Sequence, residues 1–257
     1  MAAERTPTPG VLSAAERRRI EDQFGVETAQ VVRDHLISHV LAALSETVAD
    51  EVIFFGGTAL ARTHLPFLRL SEDIDLIAVG SRAQVGRRIE QAVRGSLQRT
   101  FGEVQFLPGF DATRGSEPVV LSVDASSIQV QLLDQVGYPK WPTERLELVQ
   151  RYSDAPPAWL TVPTRSAFVA AKVSAWADRR APRDLYDLWA LQAHGAFDVE
   201  AARLFATIGP GGRPNAWTFD TAPDGVEWQR ALAHQGRIDV DPETALTTVR
   251  DAWSRLS

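Results

Sequence analysis

Two carboxylates one residue apart, Asp73 and Asp75, stand inside the apolar run "EDIDLIAV". On an extended strand, residues two apart project the same way, so this spacing sets both acids on one face and Ile74 and Leu76 on the other. Like charges so placed repel unless something positive is shared between them. A divalent cation is the simplest such partner. An all-oxygen donor set favours Mg²⁺ or Mn²⁺, which keep waters and substrate phosphates in their shell. Upstream, Gly56-Gly57 ends the apolar run "EVIFF". Glycines there let the backbone approach a ligand, and the N–H groups of a following helix suit triphosphate oxygens, with Thr58 adding a hydroxyl donor. A metal held by carboxylates beside a phosphate-cradling turn meets the main demands of phosphoryl transfer, charge neutralisation and alignment. Singly the signals are weak: a lone Gly-Gly is usually a turn, and a lone Asp-x-Asp is more often a pair of caps or surface decoration. Their pairing carries the reading.

A second group lies in "AFVAAKVSAWADRRAPRDLYDLWAL", residues 167–191. Lys172 falls on an otherwise apolar helix face with Phe168, Val169 and Trp176. Such a lysine either extends its ammonium to solvent or acts as a point charge aimed at phosphates. Asp184 and Asp187, three apart, share a face of the next helix, and Asp184 beside Pro182 also suits that helix's N-terminus. Each residue alone has a plain structural role. Lys172, Arg183, Asp184 and Asp187 around one tight interhelical turn bring both signs of charge together, which suggests a site.

The elements that must position these residues follow from pattern. "TPTPG" reads as a lead-in arm, and "SAAE" at 13–16 as a capping box. Ile20 and Phe24, then Ala29, Val32, Leu36, Val40 and Leu44, give two helices broken near 24–27. Residues 51–55 form a short strand whose consecutive apolar residues imply burial on both faces, followed by a helix over 58–64. The acidic strand precedes a helix over 84–99 and a strand over 103–107. "VVLSV" and "IQVQLL" form a hairpin, with Gln129, Gln131 and Leu133 on one face of its second arm. Composition changes at "YPKWP" and "SDAPPAW", which places a domain boundary near 140–160: an N-terminal domain, 1–145, and a helical one, 146–257. Helices are expected over 164–179, 183–193, 225–235 and 242–256, with a long loop over 209–225.

Bulk composition excludes several classes. The absence of cysteine removes disulfides, Cys-based zinc sites and thiol nucleophiles. A net charge of −6 weakens a role in coating long nucleic acid, though it allows a local basic pocket. No apolar run approaches the roughly 20 residues of a membrane span, and the N-terminus lacks a signal-peptide core, so a cytoplasmic protein is expected.

Taken in order, "GGTALAR", "LRLSEDIDL" and "DRRAPRDLYDLWAL" with its preceding lysine resemble the AbiEii/AbiGii toxin family. That family belongs to the polymerase-beta-like nucleotidyltransferase superfamily and includes tRNA-modifying toxins of mycobacteria. The resemblance covers residues 35–195. It implies an α/β (α+β) fold, with a nucleotidyltransferase core on a mixed sheet and a helical C-terminal lobe that completes the site. Gly56, Gly57 and Thr58 match the family's glycine turn, and Arg69, Ser71, Asp73 and Asp75 match its Arg-x-Ser-x-Asp-x-Asp motif. Lys172 matches the second-lobe lysine and Asp184 the essential aspartate that follows. On this basis Asp73, Asp75, Lys172, Asp184 and Ser71 are the expected catalytic group, and Asp73 and Asp75 the metal ligands. Gly56, Gly57, Thr58, Arg69 and Lys172 are expected to bind nucleotide.

One position departs from the superfamily. A third carboxylate often stands on a later strand, and here Gln131 occupies its place; glutamine cannot act as a general base. Asp184 is the candidate base and Asp134, near a strand end, a poorer one. The implied activity is transfer of NMP from a nucleoside triphosphate to an acceptor hydroxyl, at the 3′ end of tRNA, by a toxin neutralised by a co-encoded antitoxin. Two alternatives remain open: a transferase acting on a protein or small molecule, and a non-catalytic nucleotide- or partner-binding protein.

Overall fold

Ser13 starts α1 (Ala14–Phe24): its Oγ accepts the Glu16 N–H at 3.1 Å and donates to the Glu16 carboxylate at 2.8 Å. Gly25, at φ 68°, ends α1 in the left-handed region that glycine tolerates. Helix α2 (Thr28–Thr47) follows, and its buried Leu36, Ile37, Val40, Leu41 and Leu44 make it a core helix on most sides. The computed structural model describes residues 7–124, 126–210 and 216–256. These fall into two units. One comprises the described residues of Met1–Pro66, Leu70–Tyr138 and Arg145–Val162; the other comprises Phe67–Arg69, Pro139–Glu144 and the described residues of Pro163–Ser257.

The first unit is built on a mixed sheet. Strand β1 (Val52–Phe55) runs into α3 (Gly56–Arg62), then β2 (Asp73–Ala78), α4 (Arg82–Phe101), β3 (Val104–Leu107), β4 (Val119–Val123) and β5 (Ser126–Asp134). Strands β6 (Thr143–Leu148) and β7 (Ala158–Pro163) complete the order β3-β4-β5-β2-β1-β7-β6. Strand β2 is antiparallel to β1 and parallel to β5, while β4 and β5 form the expected hairpin. Residue 125, between the two strands, lies outside the described residues.

One face of the sheet's centre is apolar: Phe54, Ile74, Leu76, Val130 and Leu132 are buried. Helix α4 reaches it through Gly86, where a Cβ would come within 2.7 Å of Phe110 and 3.5 Å of Leu132. Helix α2 packs on α4 and on β5.

Three expectations change here. Ile53 and Phe55 are half-buried rather than enclosed, because their face of β1 adjoins the Asp75 face of β2. Helix α3 begins at Gly56, directly on the end of β1, and ends at Arg62. Around the boundary expected near 140–160 the chain forms two strands that the sequence pattern did not place, and Arg145–Val162 group with the first unit. "TERLEL" is an edge strand whose alternating charges hide its pattern, and "AWLTVP" sits behind two prolines.

The second unit is helical. Helix α5 (Arg165–Arg179) is capped by Thr164, and α6 (Pro182–Ala193) begins with proline at its first turn. Helix α7 (Val199–Ile208) is capped by Asp198; the sequence pattern did not place it. A 3₁₀ turn covers Ala216–Phe219 within the expected loop, whose residues 211–215 lie outside the described ones. Asp224 and Asp241 cap α8 (Gly225–Leu232) and α9 (Pro242–Ser254). Helix α5 packs on α6 and α7, and α6 on α8 and α9. The two terminal helices therefore cover α6. Among the described residues no helix is long and apolar enough to cross a membrane.

Candidate active site

In the first unit, Asp73 and Asp75 open β2, half-buried, on the face away from buried Ile74 and Leu76. The register places Asp75 between Phe55 of β1 and Gln131 of β5, and Asp73 beside Gln129. The residue after Phe55 is Gly56, at φ +80°, where a Cβ would lie 2.1 Å from Asp75 Oδ2. The glycine thus answers two demands, a backbone conformation that L side chains rarely adopt and space for a carboxylate. Gly57 is the second residue of α3. Thr58 is buried, and its hydroxyl donates to the backbone carbonyl of Asp73. The single hydroxyl proton of Thr58 therefore ties α3 to the start of β2. Ser71 is buried two residues ahead of that strand.

Two half-buried carboxylates on one strand face, beside a cradle that any Cβ would fill, form a donor set suited to a hard divalent cation. Gln131 directly adjoins Asp75, the place expected for a third acid, and its side-chain amide donates to the Ser116 carbonyl. Asp134 pairs with Ala78 at the far end of β2 and accepts the Val136 N–H at 2.9 Å. Three residues from Gln131, it faces the other side of the sheet.

The second unit contains a buried ion network. Arg69 grips Asp187 with a fork: Nε donates to Oδ1 and one terminal nitrogen to Oδ2, both at 2.8 Å. Its other terminal nitrogen donates to Gln235 Oε1 at 2.7 Å. Lys172 Nζ lies 3.0 Å from Asp184 Oδ1 and 2.7 Å from Asp187 Oδ2. Arg179 closes the group, its Nε 2.7 Å from Asp184 Oδ2 and a terminal nitrogen 3.0 Å from Oδ1. Asp184 is fully buried, and Arg69, Lys172 and Asp187 nearly so. Asp184 thus does more than cap α6, and Lys172 turns inward rather than to solvent.

Burial alone would raise the pKa of Asp184, yet Lys172 and Arg179 outweigh it and hold the carboxyl at about 2. Asp187 is lowered likewise: Arg69 and Lys172 prevail over its desolvation. Burial opposes the charge on Lys172, but Asp187 and Asp184 keep its ammonium above the usual lysine range. A carboxylate that acidic, with both oxygens engaged by cations, is a poor proton acceptor near neutrality. An ammonium has three protons, and Lys172 faces two carboxylates.

Sequence reasoning missed Gln235 and Arg179. Gln235 lies 166 residues from Arg69, and no local pattern links them. The backbone around them is close: a Cβ on Gly236 would come within 3.1 Å of the Leu68 carbonyl. Arg179 stands five residues before Asp184 across the α5–α6 turn, a spacing visible in the sequence.

Comparison with known proteins bears on the fold and the family. A family profile described as "Nucleotidyl transferase AbiEii toxin, Type IV TA system" matches residues 39–242. Among solved structures, the chain is similar to MenT4, a nucleotidyltransferase toxin from Mycobacterium tuberculosis H37Rv. The identity is 22%, 96% of this chain and 90% of that one are covered, and the TM-score is 0.69. It is also similar to a candidate nucleotidyltransferase from H. pylori at 14% identity, covering 90% of this chain and 96% of that one, with a TM-score of 0.56. Among curated proteins none matches this sequence. The structural likenesses show the α/β nucleotidyltransferase fold, and the family profile covers most of the length. The chain belongs to the AbiEii nucleotidyltransferase toxin family of type IV toxin–antitoxin systems.

Proposed function

We propose that the protein transfers a nucleoside monophosphate from a nucleoside triphosphate to a hydroxyl at the 3′ end of tRNA. The observation that carries this reading is the placement of Asp73 and Asp75 on one face of β2 against the Gly56 cradle. In the reaction the acceptor oxygen forms a bond to the α-phosphorus as the α–β phosphoanhydride bond breaks. Pyrophosphate leaves, and the hydroxyl proton passes to solvent.

Asp73 and Asp75 hold Mg²⁺ or Mn²⁺, which when bound neutralises charge on the triphosphate. Gly56 and Gly57 admit the nucleotide close to the backbone. Thr58 fixes the start of β2, and Ser71 orients Asp73 or a phosphate. Lys172 offers its remaining proton to a phosphate oxygen. Arg69 and Asp187 hold each other rigid, and Asp184 is a positioning residue for the Lys172 ammonium. A co-encoded antitoxin is the partner, and the cytoplasm is the site of action.

The acceptor rests on the resemblance to tRNA-modifying toxins, while the net charge of −6 favours a brief encounter with one RNA end over coating of long nucleic acid. The test supplies each of the four labelled nucleoside triphosphates with Mg²⁺ and either total RNA or total cell protein. Label in the tRNA band, lost after ribonuclease, is the expected result. Label confined to protein or to small molecules would overturn the acceptor while leaving the transferase reading intact.

A further inference from the structure

Apart from the carboxylate strand, the first unit holds a second convergence of ligating side chains. His35 and His39 stand four apart on α2 and so leave one face of the helix. Asp154 comes from the connection between β6 and β7. The two Nε2 atoms each lie 3.0 Å from Asp154 Oδ2 and 3.3 Å from each other. All three residues are buried, at 4%, 6% and 7% exposure. With metal–ligand bonds of roughly 2.0–2.1 Å, the edge of a ligand tetrahedron is about 3.3 Å. The observed triangle is close to one face of such a tetrahedron.

Hydrogen bonding within this trio is crowded, with two imidazole nitrogens 3.3 Å apart on one carboxylate. Asp154 Oδ2 already accepts the Gly10 N–H at 2.8 Å. If both rings carry their proton on Nε2, His35 is shared between Oδ1 at 3.1 Å and Oδ2 at 3.0 Å, His39 shares Oδ2, and the two N–H groups crowd each other at 3.3 Å. If either ring is bare there, its lone pair faces a carboxylate. A dication satisfies all three atoms at once. Phe101 and Tyr152 present ring contacts to this pair, with centroids 5.0 Å from His39 and 4.9 Å from His35 respectively, and wall the cluster with apolar surface.

We propose that His35, His39 and Asp154 form a buried structural site for a divalent cation of the zinc class. Two imidazole nitrogens select Zn²⁺ over Mg²⁺, so this site differs in kind from the all-oxygen pair Asp73 and Asp75. It pins α2 to the segment that joins β6 and β7. The proposal does not depend on the transferase reading, and its test needs no activity.

Purified protein is stripped with chelator, refilled with Zn²⁺, and dialysed against Mg²⁺-containing buffer before metal analysis. About one Zn²⁺ per chain is expected. It should persist in the doubly substituted Asp73→Ala, Asp75→Ala protein and fall to background in His39→Gln and Asp154→Asn. Co²⁺-loaded wild type provides a second readout that does not depend on the folding of those variants: the intense visible absorption of a four-coordinate ion with nitrogen ligands. Substoichiometric zinc in the wild type, zinc undiminished in folded His39→Gln, or a weak six-coordinate Co²⁺ spectrum would each overturn the proposal.

Discussion

Gly56 and Asp75 compete for one volume: a Cβ on the glycine would lie 2.1 Å from Asp75 Oδ2. The glycine turn and the acidic strand are thus one construction, and the pair makes a sharp prediction. Gly56→Ala should cost about 1–2 kcal/mol in stability through its φ of +80°. It should also cut transfer about a hundredfold by displacing the carboxylate. Gly80→Ala is the control. Gly80 has φ +103° with nothing within 4 Å, so alanine there should destabilise the fold without comparable loss of activity. Thermal melts and transfer rates on both variants separate the two effects.

The Asp184 carboxyl gives a pH dependence. Its folded pKa, about 2, lies below the ordinary 3.8, so its stabilisation is present above pH ~4 and is lost as pH falls toward 2. The shift corresponds to roughly 2 kcal/mol. Urea unfolding followed between pH ~5 and ~2 should show this acid-labile component in the wild type and a flatter profile in Asp184→Asn.

Removing Lys172 leaves Asp184 and Asp187 to Arg179 and Arg69 alone. Lys172→Met is expected to destabilise by less than the roughly 3–5 kcal/mol of an orphaned buried charge, because each carboxylate keeps one arginine. Adding Asp184→Asn to that background should recover part of the loss, as denaturant midpoints of the single and double variants would reveal.

Gln131 adjoins Asp75 in the β2–β5 register, yet an amide cannot take a proton from an acceptor hydroxyl. Transfer by Gln131→Ala should stay within about threefold of wild type at saturating nucleotide. A pH–rate profile of Asp184→Asn complements it. If Asp184 only positions Lys172, the acid limb keeps its midpoint; a shifted midpoint would restore Asp184 as the base.

Much of the candidate site's local geometry was legible in the sequence because it depends on short spacings. Asp73 and Asp75 declare a shared strand face by their spacing, and Gly56-Gly57 marks the break before α3. The inward group of Lys172, Asp184 and Asp187 shows in helical spacing across one short turn. The rest depends on pairings that no local pattern encodes. Strand β6 is a charged edge strand, and β7 follows two prolines, so periodicity is silent on both. The Arg69 fork joins residues 118 apart. His35 and His39 are visibly four apart, but their meaning rests on Asp154, 115 residues beyond His39. That Thr58 spends its proton on the Asp73 carbonyl, too, emerges only once α3 lies against β2.

The central claim is that Asp73 and Asp75 hold the metal for nucleotide transfer, and one measurement addresses it directly. Wild type and Asp73→Ala, matched for folding by circular dichroism, are given labelled nucleoside triphosphate, total RNA and Mg²⁺, and release of pyrophosphate and label in RNA are followed together. The account predicts stoichiometric release and labelling by the wild type, abolished by chelator and by Asp73→Ala. Equal activity in the two proteins, or transfer undiminished by chelator, would contradict it.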